Sequence, residues 1–261
     1  LKKYLRKISP DIIIIDKLNE TKNNLETLKK NGPIIGIDYT GKHKELFDYG
    51  INILYPKSGI STKSFSGLNY AILNTKFKNI KKKKIMKKVK SVLILQGGAD
   101  THCFTPKIIK AVNGLNGDFK ISIVLGPSFK CWLKLNETLK IVEKQIKVYH
   151  NVKDMANLMQ KHDFAITAAG NTLLELAHLG IPSAMICAEK FEVETSKLVE
   201  SKGFGINIGF GKDLTILQIQ KELSKIIMNY SLRKKMNVIG PKLVDGKGSI
   251  RVSRVLSSKI S

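Results

Sequence analysis

The 261-residue sequence predicts an α/β chain built from doubly wound parallel sheets. Three observations carry that expectation. Short unbroken apolar runs such as Asp11-Ile-Ile-Ile-Ile-Asp16, rich in β-branched residues, read as strands covered on both faces. Stretches with the 3.6-residue apolar period of helices separate them. Gly, Pro, Asn and Asp mark the changeovers.

Residues 11–15 form the first expected strand. A helical pattern through Leu25 and Leu28 follows, and Asn31-Gly32-Pro33 stops it. Strands at 34–37, ended by Asp38, and at 51–54 make about half of a doubly wound domain over residues 1–75. Residues 76–90 are polar and Lys-rich and read as a linker. The alternation restarts at Ser91 and defines a second domain over 91–244. Its first strand, 92–95, runs into Gly97-Gly98-Ala99-Asp100, and Thr105 is expected to cap a helix with Pro106 in its first position. Strand 121–125 ends at Gly126-Pro127. Strand 146–149 ends near Asn151, the expected cap of a helix around Met155 and Leu158. Strand 164–167, the turn Ala168-Ala169-Gly170-Asn171 and a helix over 172–178 come next, closed by Gly180 and Pro182. Then follow strand 183–187, a helix to about Lys202, a short strand at 205–208, and a helix opened by Thr215 with Leu217, Ile219, Leu223, Ile226 and Ile227 on its apolar stripe. Asp245-Gly-Lys-Gly-Ser introduces a last helix carrying Ile250, Val252, Val255 and Leu256.

Composition narrows the function. Hydrophobic residues make up 43% of the chain, enough for buried cores. The strongest apolar run, 12–15, is far below the roughly 18 residues of a membrane helix, so no stable membrane insertion is expected, and no secretory signal is visible. The sequence starts at Leu1 and enters a strand almost at once, which reads as a missing amino-terminal segment. Cys103, Cys131 and Cys187 are scattered and odd in number. They suggest no disulfide framework or metal set, but three small buried hydrophobes in a reducing cytoplasm. The net charge of +24, from 45 basic and 21 acidic residues, raises nucleic acid or an anionic surface as partners. The lysines are spread along the chain, and the dense cluster at 81–84 with Lys87 and Lys88 has no interleaved aromatics. A solvated linker or helix face is therefore expected there and no nucleic-acid site. The excess charge favours an anionic, phosphate-bearing substrate.

Two segments carry chemistry. Gly97-Gly98-Ala99-Asp100 sits where a strand ends and a helix is about to start, the edge at which open α/β sheets bind ligands. Glycines let backbone amides approach a phosphate, and the helix dipole adds about 0.3–1 kcal/mol for an anion. Alone, the pattern also describes an ordinary tight turn. The second segment, Thr167-Ala-Ala-Gly-Asn-Thr172-Leu-Leu-Glu175, pairs a turn of small residues with a helix capped by Asn171 or Thr172. Its amides would face the turn, and Glu175, one turn in, could accept both hydroxyls of a ribose. A solvent-facing Glu near the positive helix end is an equally good reading of Glu175.

Thr167 to Pro182 resembles the nucleotide-binding signature of GT-B glycosyltransferases related to the enzyme that makes lipid II from UDP-GlcNAc. The ordered set Asp11–Asp16, Gly67-Leu-Asn-Tyr-Ala-Ile-Leu73 with Phe77, Leu95-Gln-Gly-Gly-Ala-Asp100, Thr167 to Pro182 and Asp245-Gly-Lys-Gly-Ser-Ile-Arg251 resembles the PseG/SpsG family over nearly the whole chain. That family comprises the UDP-sugar hydrolase of pseudaminic acid biosynthesis and its spore-coat polysaccharide relatives. The resemblance implies two Rossmann-like domains of GT-B type, the first incomplete here, with UDP on the second and the last helix, 245–261, crossing back to the first. The implied activity is hydrolysis of a UDP-linked diacetamido-trideoxyhexose. The alternative is glycosyl transfer in surface or spore-coat polysaccharide synthesis. No cofactor or metal is implied, and no Asp-x-Asp motif lies beside the phosphate loop. The implied partners are the UDP-sugar and the missing amino-terminal segment. By the same resemblance Gly97, Gly98, Ala99 and Asp100 form the diphosphate loop, and Ala169, Gly170, Asn171 and Thr172 line the phosphate or sugar side. Glu175 takes the ribose, and Gly126 to Phe129 and the segment near Asn151 to Met155 border the uracil. The sequence departs from the family at three places. The family's catalytic His near the amino terminus has no match among His43, His102, His150, His162 and His178. Lys17-Leu18-Asn19 stand where a Tyr is usual, and Phe191-Glu192 replace an Asn-Gln pair, placing Glu192 at the sugar.

Overall fold

The computed structural model describes residues 5, 7–57, 59–60 and 63–260. The chain divides into two compact units. One runs to Leu73 and resumes at Val244; the other is Asn74–Leu243.

The first unit holds a four-stranded parallel sheet, β1 (Ile13–Asp16), β2 (Ile34–Ile37), β3 (Tyr49–Asn52) and β4 (Ser64–Ser66), in that order. Helix α1 (Lys22–Lys29) follows β1, with Thr21 Oγ1 accepting the Asn24 amide as its cap. Ile15, Leu25, Ile34, Tyr39, Phe47 and Ile60 form the buried cluster beneath. Asp38, at the end of β2, turns back at a positive φ of 50°, and its Oδ1 accepts the amides of Ile53 and Leu54 at 2.7 and 2.9 Å. Burial raises the Asp38 carboxyl above the usual range, partly offset by those amides. β4 is not signalled by apolar residues, since its pattern is Ser-Phe-Ser. The sequence Asp245–Arg251 explains how the last helix, here Gly248–Ile260, joins this unit. The Arg251 guanidinium forks onto both Asp245 oxygens at 2.7 and 2.6 Å and donates to the Asn69 carbonyl at 2.8 Å. The two parallel bonds make this a geometrically specific pair.

The second unit is a six-stranded, all-parallel sheet: β5 (Ser91–Leu95), β6 (Lys120–Leu125), β7 (Ile146–His150), β8 (Phe164–Thr167), β9 (Ser183–Cys187) and β10 (Ile206–Phe210). Their order across the sheet is β10-β9-β8-β5-β6-β7. From β5 the chain winds one way through β6 and β7, then returns to build β8, β9 and β10 on the other side. The reversal leaves a crevice at the carboxyl ends of β5 and β8, where such sheets bind ligands. The helices are α2 (Phe104–Asn113), α3 (Trp132–Lys140), α4 (Met155–Gln160), α5 (Asn171–Leu179), α6 (Glu192–Ser201), α7 (Ile216–Met228) and α8 (Tyr230–Leu243); the returning Gly248–Ile260 is α9. Val92, Leu93, Ile94, Ala165 and Ile166 are wholly buried, as two-face coverage demands. Thr215 caps α7 through a reciprocal bond with Gln218.

Three expected caps are corrected. Thr105 lies inside α2; Cys103 is the N-cap residue, and the buried Asp100 does the capping, its two oxygens accepting the amides of Phe104 and Thr105 at 2.7 and 2.9 Å. Asn151 sits at positive φ three residues before the true cap of α4, Asp154, whose Oδ1 accepts the Asn157 amide. Gly170 precedes α5, so neither Asn171 nor Thr172 caps it, and no side chain closes its first turn.

The cysteine expectation is corrected as well. Cys103 and Cys131 form a disulfide with Cα atoms 5.7 Å apart, both half-buried; Cys187 alone is the free, buried thiol expected. The Lys-rich run before β5 is fastened along its backbone and is not simply solvated. The buried Arg233 donates to the carbonyls of Ile227, Met86 and Lys87, Asn237 to that of Lys83, and Gln160 to that of Lys81. Lys83 also pairs with Asp163 at 3.0 Å. No helix among the described residues is long and apolar enough to cross a membrane.

Candidate functional site

A cleft of about 490 Å³ opens at the carboxyl edge of the second unit's sheet. Four changeovers build it. The β5–α2 turn contributes Gly97 and Gly98, and the β6–α3 turn contributes Gly126 and Pro127. The β7–α4 loop contributes Asn151, Lys153 and Met155, and helix α5 contributes Thr172 and Glu175.

The two Gly-rich turns are shaped for each other. Gly97 takes φ 71°, a left-handed conformation that costs glycine little. A Cβ placed on Gly97 or Gly98 would meet nothing within 4 Å, so the backbone here is open to the cleft. Gly126 is tight instead: a Cβ would come within 2.4 Å of the Gly98 Cα and carbonyl oxygen. The Ser128 amide donates to that carbonyl at 3.0 Å, and the Cys103–Cys131 disulfide ties the start of α2 to the start of α3 just beyond. Asp100 is occupied in capping α2, so it shapes the loop and does not line the cleft.

Helix α5 supplies the opposite wall. With Gly170 as its N-cap residue it brings no side-chain acceptor, and the first amides of a helix have no partner within it. The positive end of the helix dipole therefore faces the crevice with small residues, Ala168, Ala169 and Gly170, in front. Thr172 and Glu175, three residues apart, share the helix face that lines the cleft. Burial alone raises the Glu175 carboxyl from its ordinary 4.5 to about 7. Glu175 is half-buried and lines the cleft, so its carboxyl does not stand fully in solvent. Lys153 is the cationic side chain in the lining.

Six sequence-selected residues, Gly97, Gly98, Gly126, Met155, Thr172 and Glu175, thus come together in one cleft. Ala99, Asp100, Ala169, Gly170, Asn171 and Glu192 do not line it. Glu192 lies at the neighbouring β9–α6 corner, where its Oε2 accepts the Ala188 amide at 2.6 Å. Burial raises its carboxyl above the usual range, countered by the amides of Ala188, Glu189 and Ala169. His102 Nε2 stands 3.4 Å from Glu189 Oε1 at the same corner. The sequence had not singled out the side chains of Gln96 and Thr167, which are buried at the ends of β5 and β8 without a hydrogen-bond partner. Polar residues at strand ends are the only signal that could have found them. Among the described residues no group of three or more His, Cys, Asp or Glu is arranged to hold a metal.

Comparison with known proteins agrees with this architecture. The glycosyltransferase family 28 C-terminal domain matches residues 62–240. An uncharacterized protein of Methanocaldococcus jannaschii is 32% identical over 198 residues, covering 74% of this chain but 38% of that protein. The spore coat polysaccharide biosynthesis protein SpsG of Bacillus subtilis is 26% identical over 258 residues, covering 94% of this chain and 76% of the relative. Among solved structures, MurG of Acinetobacter baumannii superposes with a TM-score of 0.73 at 13% identity, over 98% of this chain and 76% of that one. At such identity the likeness speaks for the fold, which is α/β of GT-B type.

Proposed function

The chain belongs to the glycosyltransferase family 28 C-terminal domain family, and from that membership we propose that it is an enzyme that binds a UDP-sugar in the second unit's cleft and breaks the bond between sugar and diphosphate. One observation carries the reading: an open Gly97-Gly98 turn, the uncapped start of α5 and the half-buried carboxyl of Glu175 border a single cleft. Each suits one part of the ligand. The diphosphate lies against the Gly98 and Ala99 backbone and the first amides of α5, those of Asn171 and Thr172. The ribose hydroxyls donate to Glu175, and the uracil lies between Gly126 and the Asn151–Met155 loop. The sugar then extends past Ala169 and Gly170 toward Glu192.

In this reading the second unit's contribution to the chemistry is electrostatic. As the glycosidic bond breaks, negative charge grows on the departing UDP, and fixed amides with a helix dipole stabilise it. Hydrolysis of a UDP-linked diacetamido-trideoxyhexose, with water as acceptor, is the preferred reaction. It is favoured by the motif set shared with the PseG/SpsG family and by the alignment with the spore-coat relative over 94% of the chain. Glycosyl transfer to a polysaccharide acceptor is the second reading, favoured by the matched family itself. The general base is assigned to none of the five histidines of this sequence.

Calorimetry with UDP tests the binding claim: wild type should bind, and Glu175→Ala should bind more weakly while melting as a folded protein. Product analysis with a UDP-sugar, with and without acceptor, then separates the reactions. Free sugar released without acceptor supports hydrolysis; sugar found only on the acceptor supports transfer. Absence of UDP binding by wild type defeats both.

A further inference from the structure

The opposite edge of the same sheet carries a feature that nucleotide chemistry does not use. A groove of about 570 Å³ runs between the strap before β5, the loop before β6 and the end of α7. Its floor is apolar, with Phe119, Val89 and Ile227 buried. Its walls are cationic: Lys87, Lys88 and Lys90 line it. Lys144 reaches over the Phe119 ring at 4.6 Å and donates to the Gly117 carbonyl at 2.9 Å. Acidic groups stand nearby as well: Asp118 lines the groove, Glu143 shares a hollow with Gly117, Asp118 and Phe119, Asp163 accepts the Lys90 amide and pairs with Lys83, and Glu222 is paired with Lys225 at 2.7 Å. Among the described residues Lys87, Lys88 and Lys90 enter no ion pair.

Large unbranched apolar side chains stand proud of this basic surface. Met228 is 74% exposed and Met86 47%. A second hollow, sharing Asn116 and Met228, continues along α7 past Lys221 and Lys225 to Leu217, itself 76% exposed. The backbone at Met86 and Lys87, and at Ile227 beside Met228, is held by the buried Arg233, which donates to these three carbonyls. The surface is thus a fixed part of the fold.

We propose that this amino-terminal sheet edge is a docking surface for an anionic phospholipid bilayer, with Lys87, Lys88 and Lys90 meeting the headgroups and Met86, Met228 and Leu217 entering the headgroup–acyl boundary. Charge complementarity favours such a surface: basic residues close to an anionic leaflet are drawn to it, and flanking apolar side chains add binding that salt does not screen. Nucleic acid fits less well, because no exposed aromatic accompanies these lysines to stack on bases. Strand β5 separates this edge from Gly97; five residues at ~3.3 Å each put them roughly 17 Å apart. A docked molecule therefore keeps its cleft open to ligand.

Co-sedimentation with vesicles tests the proposal, comparing phosphatidylcholine containing phosphatidylglycerol with phosphatidylcholine alone. Wild type should pellet strongly with the anionic vesicles and only weakly with the neutral ones. Lys87→Ala, Lys88→Ala and Lys90→Ala together should weaken partitioning by on the order of a hundredfold. A control triple, Lys197→Ala, Lys202→Ala and Lys212→Ala, removes the same charge from exposed positions outside the groove and should stay with wild type. Met86→Ser with Met228→Ser should abolish the binding that survives at about 1 M salt, where the screening length is ~3 Å. Melting curves confirm that each variant is folded. Equal loss in the two triples would reduce the effect to net charge and overturn the proposal. So would undiminished binding by the groove triple, or wild type that binds RNA but no vesicle.

Discussion

Glu175→Gln should make the protein more stable above neutral pH while weakening its hold on UDP. In the fold, burial raises the Glu175 carboxyl from 4.5 to about 7. Each tenfold change in proton affinity corresponds to about 1.36 kcal/mol, so carrying the ionised form in the fold costs about 3 kcal/mol. The sign follows from proton binding. Between pH 4.5 and about 7 the folded state holds this proton and the unfolded state does not. Stability is therefore greatest below that window, falls as pH rises through it, and is flat above. Glutamine fills nearly the same volume and does not titrate. The gap between variant and wild type should open across the window and reach about 3 kcal/mol in the variant's favour, or roughly 6–12 °C in melting temperature for a unit of this size. Any constant cost of burying the amide shifts the whole curve without changing its slope. The assay is thermal melting of both proteins from about pH 5 to pH 8, with UDP calorimetry at the upper end. A melting gap that stays constant with pH would refute the buried-carboxyl argument. An opening gap with unchanged UDP affinity would leave the burial standing and remove the ribose role.

Two further outcomes follow from the turns that border the cleft. Gly126→Ala puts a methyl group 2.4 Å from the Gly98 backbone, so the phosphate loop must shift, and calorimetry should show UDP affinity at least about tenfold weaker with the sheet intact by circular dichroism; unchanged affinity would mean that the loop moves freely. Reducing the Cys103–Cys131 bond opens a link between residues 28 apart in sequence, worth about 3.5 kcal/mol by loop entropy, and should lower the melting temperature of wild type while leaving Cys103→Ala/Cys131→Ala unaffected by reductant.

What the sequence made legible followed from local pattern. The strands of the second unit stood out because a parallel sheet covered on both faces needs short, mainly apolar runs, and residues 92–95, 121–125, 164–167 and 183–187 have them. The Gly-rich turns stood out because few other residues make such corners. Helix α8 gave little signal: Arg233, Lys234 and Lys235 interrupt its apolar stripe and Pro241 lies inside it. The caps failed for a different reason. Asp100 and Thr105 are both good capping residues, and so are Asn151 and Asp154; a few residues of loop geometry decided between them. The disulfide was invisible because 28 residues separate its ends in sequence. The pairing of β5 with β6, Leu95 beside Val124, is what brings the following turns together.

The same contrast accounts for which part of the candidate site could be read in advance. Gly97, Gly98 and Thr172, which line the cleft, were legible because their proposed roles depend on backbone that small or short side chains leave uncovered, and small residues in a turn are visible in a sequence. Glu175 was found as a position, but not as an environment. Whether its carboxylate met water or apolar neighbours depended on which face of α5 turned toward the cleft, and Leu173, Leu174, Leu176 and Leu179 leave too few polar positions for periodicity to decide. With Glu175 half-buried at the cleft, the lack of an ion-pair partner among the described residues becomes informative. A carboxyl held near neutrality by burial alone gains most from a ligand that brings its own hydroxyl donors, and a vicinal diol supplies two at the spacing of the two carboxylate oxygens. The sugar end has no such pointer, since the Glu192 carboxylate is already engaged by backbone amides. On the proposed reading, nucleotide recognition therefore has more candidate residues in this unit than the choice of sugar or acceptor has.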